Sequence, residues 1–323
     1  MKKLLCLLIV ITALFVTITI KGSDNAIIIY ASTEQFRNDE LQEQLIKRFP
    51  DKDIRVVYVS TAKAATKIKI EGTTTDADIV VGLETAYLEK IKDNLADVSD
   101  KSSINYTSDL FTSNKYVIWE RQAGSIIINN RVLKKHNLPV PSTYEDLLNP
   151  VYKNYIAMPD PKSSGTGYFF YKGLVNKMGE KKALEYFDKL QGNIKQFTES
   201  GSGPIKLLKQ EEIAIGLGLT FQGVNEKNEG YDFTLIEPEF GSPYSLTGSS
   251  MIKGRENDED IQEVFDFIIN EFLVYDKENF SPEVIYKGQV NKIKNYPTNI
   301  KYADMSGIEK IEEKERLLDL WKY

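Results

Sequence analysis

The 323-residue chain has a single cysteine and a single histidine. One Cys excludes a disulfide framework and a thiolate-rich zinc site. One His leaves no multi-histidine metal cluster and little acid–base chemistry beyond carboxylates. No GxGxxG fingerprint, no P-loop and no serine in a nucleophile elbow occurs, so nucleotide and acyl-transfer chemistry have no motif to rest on. Basic residues number 41 against 47 acidic ones, a formal charge of −6. Nucleic acid is not an expected partner, because backbone binding needs a basic face. Linker-like Pro/Gly/Ser tracts and internal repeats are missing too. Beyond residue 20 no run is apolar enough to span a membrane.

What is present describes an ordinary globular protein: 41% apolar and 27% charged residues, with 18 Tyr and 15 Phe. The length exceeds the roughly 250–300 residues at which one core stops growing, so two units are expected. Lys2 and Lys3 precede an apolar, charge-free run, Leu4–Ile20, which breaks at Lys21-Gly22-Ser23. A basic start followed by an apolar run is the export pattern. Residues 1–22 therefore read as a signal peptide or N-terminal anchor, and the protein is expected outside the cytoplasm, in the periplasm or on the outer face of the cell membrane. Cys6 lies inside the run, too early for a lipid-attachment site. Removing the run leaves a cysteine-free chain, which suits an oxidising compartment, and deepens the negative balance.

From residue 26 strand and helix patterns alternate. Ala26–Ala31, Ile54–Ser60 and Ala77–Gly82 read as strands, separated by helices over Gln35–Phe49 and Thr61–Glu71. Such a βαβαβ series implies a mostly parallel sheet covered by helices on both faces. The pattern restarts with strands at Lys115–Trp119 and Ser125–Asn129 around a polar break, Glu120–Gly124. Short helices are expected around Arg131–His136 and Tyr144–Leu148. Strands at Tyr155–Met158, Ile194–Phe197, Ile213–Thr220, Phe233–Ile236 and Ser249–Lys253 follow, with helices over Gly165–Met178, Glu180–Gln191 and Asp258–Val274. A last helix is expected from about Gly307 to Trp321.

Ligands of open α/β sheets bind beyond the carboxyl ends of the strands. Here those loops are rich in hydroxyls and poor in charge: Ser32-Thr33, Ser60-Thr61, Glu84-Thr85 and Ser163-Ser164-Gly165-Thr166. The last of these opens a helix after a Pro-braked turn. Free amides at a helix start, the positive end of its dipole and neighbouring hydroxyls form an uncharged anion cradle. Ser202, in Ser200-Gly201-Ser202-Gly203-Pro204, is a second candidate of this kind. Ser/Thr-Gly turns also cap helices with no ligand present, so the repetition across several strand ends carries the weight. No catalytic residue, metal ligand or cofactor is expected. His136 reads as a surface residue, Trp119 as a core or hinge aromatic, and Glu309–Arg316 as a solvated helix face.

The order and spacing of YASTEQ, ADIVVGLETAYLEKI, KYVIWERQAGSIIINNRVL, PDPKSSGTGYFF, GSGPIKLLKQEEIAIGLGLTFQGV and PEFGSPYSLTGSSMIKG resemble the solute-binding proteins of ABC importers. The resemblance is to the type II group that includes ferric-ion, sugar-phosphate, aminoethylphosphonate and polyamine binders, and it runs over residues 26–323. It implies an α/β, two-lobed type II periplasmic-binding-protein fold, each lobe a mostly parallel sheet flanked by helices, with the ligand in the cleft between lobes. The lobes implied are 26–121 with about 246–280, and 122–245; C-terminal helices in 281–323 would pack across both. A membrane permease is the implied partner, and a monomer is expected.

Ferric-binding members use a His or acid after the first strand, an acid after the third and a Tyr pair after the Gly-rich strand near 220. This sequence has Thr33, Glu84 and Thr220-Phe221-Gln222-Gly223 there. The implied ligand is therefore a small anion (phosphate ester, phosphonate or carboxylate). Ser164-Gly165-Thr166 would hold it, and Thr33, Glu84, Gln222, Glu239 and Ser242 would read the remainder. Ferric or polyamine binding on the same fold is the alternative. An extracytoplasmic hydrolase or transferase using Glu84 as base is a rival of another class.

Overall fold

The computed structural model describes residues 26–110 and 113–323; the run Leu4–Ile20 and its export reading lie outside the described residues. Apolar runs bounded by turn residues become the strands, and amphipathic segments the helices. In chain order these are β1 (Ile27–Ala31), α1 (Gln35–Arg48), β2 (Ile54–Tyr58), α2 (Thr61–Glu71), β3 (Ile79–Glu84) and α3 (Thr85–Ile91). Next come β4 (Val117–Asn129), α4 (Asn130–Lys135), β5 (Ile156–Pro159), α5 (Gly165–Met178), α6 (Glu180–Leu190) and β6 (Ile194–Thr198). The chain continues through α7 (Gly203–Lys209), β7 (Ile215–Leu219), α8 (Thr220–Asn228), β8 (Phe233–Ile236) and β9 (Tyr244–Met251). It ends with α9 (Glu259–Phe267), α10 (Leu273–Asn279) and α11 (Ile311–Leu320).

The strands form one sheet in the order β2-β1-β3-β9-β4-β7-β5-β6, with β8 also on β4. Pairs β1–β2, β1–β3, β5–β6 and β5–β7 are parallel, while β9 and β4 run antiparallel to their neighbours. Val117–Ala123 of β4 pairs with β9, and Gly124–Asn129 pairs with β7 and β8. One strand thus passes from one half of the sheet to the other.

Apolar packing follows the same division. Ile29, Leu41, Val81, Leu83, Trp119, Phe265 and Phe272 belong to one core; Ile126, Phe169, Phe170, Leu174, Phe187, Leu217 and Trp321 belong to another. β1, β3, β5 and β7 are covered on both faces, which is why they read as continuous apolar runs rather than alternating ones. Asp258 caps α9 by accepting from the amides of Asp260 (2.9 Å) and Ile261 (3.2 Å).

Several expected elements change. The polar break Glu120–Gly124 is not a break: β4 runs through it, because Glu120 meets the buried Arg37 and the buried Arg121 reaches the exposed carboxylate of Asp109. Tyr144–Leu148 yields only a 3₁₀ turn at Glu145–Leu148. The helix expected over Asp258–Val274 continues to Asn279 through a π turn at Ile268–Phe272. Within 281–323, α11 is the one helix among the described residues, and the chain before it is irregular. It starts at Ile311 rather than near Gly307, whose φ of +81° is left-handed and incompatible with helix.

Candidate functional site

A cleft of about 350 Å³ lies where the two halves meet. From the first half come Ser32, Thr33, Glu34, Gln35 and Tyr58, and from the crossing strand β4 comes Gln122. Thr166, Gly201, Ser202, Leu219 and Gln222 supply the opposite wall. These residues are brought together by topology: β1 and β7 end at the cleft, and α1, α5 and α8 begin there.

A helix start leaves amides without intrahelical acceptors and carries a positive partial charge. α1 and α5 have 14 residues each and α8 has 9, so three full helix starts face one cavity. Among the described residues no Lys or Arg lines it, and Glu34 is the one charged lining residue. Ser32 donates its hydroxyl to the Val59 carbonyl (2.7 Å), and Thr33 donates to the Asn38 side chain, so both spend their protons inward. The Ser202 hydroxyl lies 3.2 Å from that of Ser200. The side-chain oxygen of Gln222 is screened from solvent and has no hydrogen-bond partner. Leaving a screened acceptor unpaired costs about 1–3 kcal/mol, which a ligand N–H or O–H recovers.

Two glycines set the spacing of the second wall. A Cβ at Gly165 would collide with the Glu84 carboxylate, and one at Gly201 would collide with the Thr166 hydroxyl. Only glycine lets these backbones come so close to the side chains that face them.

Beneath the cleft lies a buried charge cluster. Arg37 donates to Asp276 through Nε and Nη2 (2.8 and 2.6 Å), and through Nη1 to Glu120 (3.2 and 3.1 Å) and Glu34 (2.9 Å). Burial opposes its charge, but the carboxylates of Asp276, Glu120 and Glu34 outweigh this and hold its pKa well above the ordinary value. Asp276 is likewise opposed by burial, yet Arg37 and Lys277 lower its pKa. Nearby Glu283 is buried without a cation of its own. Burial pushes it up to about 7, partly offset by the neighbouring Tyr296 hydroxyl.

Of the residues singled out in the sequence, Ser32, Thr33, Thr166, Ser202 and Gln222 line the cleft. Ser164 and Gly165 adjoin it as the N-cap and first residue of α5. Others do not line it. Ser60 and Thr61 open α2, and Thr85 is buried at the start of α3. Ser163 turns its hydroxyl back to the Asp160 carbonyl (3.4 Å). Glu84 is ion-paired to Lys314 at 2.5 Å. Glu239 is exposed and accepts from the Tyr144 amide (3.2 Å), while Ser242 is buried and its backbone is bonded to Lys301 and Ala303. Glu239 and Ser242 therefore do not line this cleft. Trp119 is a core residue stacked on Phe272, and His136 packs on Tyr155 at the end of α4.

Glu34, Gln35, Tyr58, Gln122, Gly201 and Leu219 line the cleft without having been singled out. Glu34 and Gln35 directly follow Ser32-Thr33 at a helix start, which was a usable signal. Gln122 lies in the polar middle of β4, which carries no strand pattern of its own.

A family model described as bacterial extracellular solute-binding protein matches residues 72–279. The chain is 28% identical over 254 residues to a Haemophilus influenzae protein described as uncharacterized, spanning 74% of this chain and 72% of that one. It is similar in structure to the periplasmic binding protein AfuA from Actinobacillus pleuropneumoniae with fructose-6-phosphate bound. That likeness has a TM-score of 0.73 at 21% identity and covers 93% of this chain and 98% of that chain. The apo ferric ion-binding protein A of Pasteurella haemolytica gives a TM-score of 0.75 at 15% identity, covering 92% and 96%. At these identities the structural likeness carries the fold, the type II periplasmic-binding-protein architecture. The family and the structural neighbours are binding proteins rather than enzymes, and membership implies a ligand, an ABC permease partner and a periplasmic location. The chain belongs to the bacterial extracellular solute-binding proteins.

Proposed function

We propose that the protein is the solute-binding component of an ABC import system and captures a small ligand bearing one anionic group, a phosphate ester, phosphonate or carboxylate. The observation that carries this is the convergence of the starts of α1, α5 and α8 on a cleft lined, among the described residues, by hydroxyls and no cation. Such a site holds an anion by local amide and hydroxyl contacts rather than by net charge. Thr166 and Ser202 supply hydroxyl donors, and Gln222 takes a hydrogen from the ligand. Glu34 faces a second donor, either a hydroxyl or an amino group. The volume of about 350 Å³ suits a metabolite-sized ligand.

In this reading 26–121 with about 246–280 form one lobe and 122–245 the other, and 281–323 returns across both. The pivot is where β4 and β9 cross, at Ala123–Gly124 and Tyr244. Closure about it buries the ligand and presents the closed form to the permease. The export pattern in residues 1–22 supports delivery outside the cytoplasm, and the protein acts as a monomer.

Native mass spectrometry of the purified protein, followed by calorimetry across phosphate esters, phosphonates and carboxylates, tests the proposal. At least one class is expected to bind saturably, with Thr166→Ala weakening it by roughly tenfold, the worth of one hydrogen bond to a charged group. If none binds while ferric ion or a polyamine binds tightly, the anion assignment is wrong. Two observations favour the anion over the ferric alternative. Among the described residues no three of His, Cys, Asp or Glu gather as metal ligands, and the Glu84 carboxylate is occupied by Lys314. The same ion pair argues against Glu84 as a general base.

A further inference from the structure

The surroundings of Lys314 form a second, already filled site next to the cleft. Its ammonium lies 2.5 Å from Glu84 Oε2 and 4.8 Å from the ring centres of both Tyr87 and Tyr168. The Lys314 side chain is 4% exposed, and Tyr168 is buried with a hydroxyl that has no partner. One carboxylate and two aromatic faces around an ammonium make a cation box, the chemistry that recognises amines. Its walls come from both halves: Glu84 and Tyr87 from β3 and α3, Tyr168 from α5. It adjoins the cleft through Gly165, against which the Glu84 carboxylate packs, and Thr166, which lines the cleft.

The placement of Lys314 is not explained by its helix. It lies within the first turn of α11, beside Glu312 and Glu313, where the helix dipole disfavours a cation. An ammonium taken this far out of water costs several kcal/mol unless it is paired. α11 carries it there from the second half, whose core holds Leu317 and Trp321.

We propose that Lys314 is a built-in occupant of a cation-binding box formed by Glu84, Tyr87 and Tyr168, and that by filling it the chain bars amines and other cations from this wall of the cleft. Lys314 is thus a specificity-determining residue, and truncating it converts the wall into an amine site. This holds whether or not the cleft itself takes an anion.

Lys314→Ala removes a fragment equivalent to n-propylammonium, which is therefore the probe. Thermal unfolding and calorimetry of wild type, Lys314→Ala and Lys314→Ala/Glu84→Gln are compared with n-propylammonium chloride and with sodium chloride at equal ionic strength. Saturable stabilisation and heat are expected only in Lys314→Ala, with affinity roughly tenfold or more above wild type and the double variant. A plain tie between α11 and α3 would not be restored by free amine. Equal effects of sodium, or equal amine binding by wild type or the double variant, overturn the proposal. Reductive methylation of wild type, read by mass spectrometry, remains decisive if Lys314→Ala does not fold. Lys314 is expected to react at least roughly tenfold more slowly than Lys181, whose side chain is 90% exposed; equal rates overturn the proposal.

Discussion

Arg37→Met removes the one guanidinium shared by Asp276, Glu120 and Glu34. Asp276 keeps a cation, since the Lys277 ammonium is 2.9 Å away. Glu120 does not: its remaining hydrogen-bond partners among the described residues are the Ser281 hydroxyl and the Gln122 amide at 3.4 Å, and it is fully buried. A unit charge pair about 3 Å apart is worth about 5 kcal/mol at an effective dielectric constant of about 20, and breaking a buried pair typically costs about 3–5 kcal/mol. Urea unfolding should therefore show a loss of about 3–5 kcal/mol, and the melting temperature should fall by roughly 5–8 °C. Glu120→Gln, destabilising alone, should partly rescue Arg37→Met, giving a coupling energy of at least about 1 kcal/mol in the double-mutant cycle. Glu34 loses its tether in the same variant, so ligand affinity should fall even at temperatures where the protein is folded. A loss below about 1 kcal/mol with no coupling to Glu120 would refute the view that one buried cation holds this cluster together.

Glu34→Gln removes the one charge lining the cleft and should tighten a purely anionic ligand by roughly three- to tenfold in competition calorimetry; a ligand with an amino end should instead bind more weakly. Gly201→Ala pushes a methyl into the Thr166 hydroxyl; affinity should drop roughly tenfold or more while the melting temperature changes by less than about 3 °C. Glu283, held at about 7 against an ordinary 4.5, keeps a proton in the folded protein that the unfolded chain gives up. Its contribution is complete below about pH 4.5 and is lost as pH rises through about 7, an effect on the order of 3 kcal/mol. Urea unfolding between pH 5 and 8 should show this fall in wild type and a flatter profile in Glu283→Gln.

The parts of the fold legible in the sequence are those set by local pattern. β1, β3, β5 and β7 are buried on both faces, so each stands out as an unbroken apolar run between polar turns. Because ligand clefts form beyond such strand ends, Ser32, Thr33, Thr166 and Ser202 were legible with them. What was hidden depends on contacts distant in the chain. The polar middle of β4 stays in strand because Glu120 is met by Arg37, 83 residues away, and by Ser281, 161 residues away. Glu84 looked like a free acid after a strand; its partner Lys314 is 230 residues further on, in a helix that read as a solvated face. Its charged residues pair with other elements rather than with one another, Glu313 with Lys172, Lys314 with Glu84, Glu315 with Lys90 and Arg316 with Glu180, and local charge spacing does not reveal such partners.

The crossing between the halves has a mechanical consequence. β4 and β9 are paired from Val117–Ser249 to Ala123–Tyr244, and the Gly124 amide still bonds to the Pro243 carbonyl at 2.8 Å. Two single strands in a loop would act as a swivel with no preferred angle. A hydrogen-bonded ribbon acts more like a leaf spring, with a rest position and a restoring force spread over several residues. If the halves rotate about this ribbon, a captured ligand holds it flexed, and the recoil works in favour of release once the ligand's grip is broken. The sheet would then contribute to unloading the cargo as well as to positioning the residues that seize it.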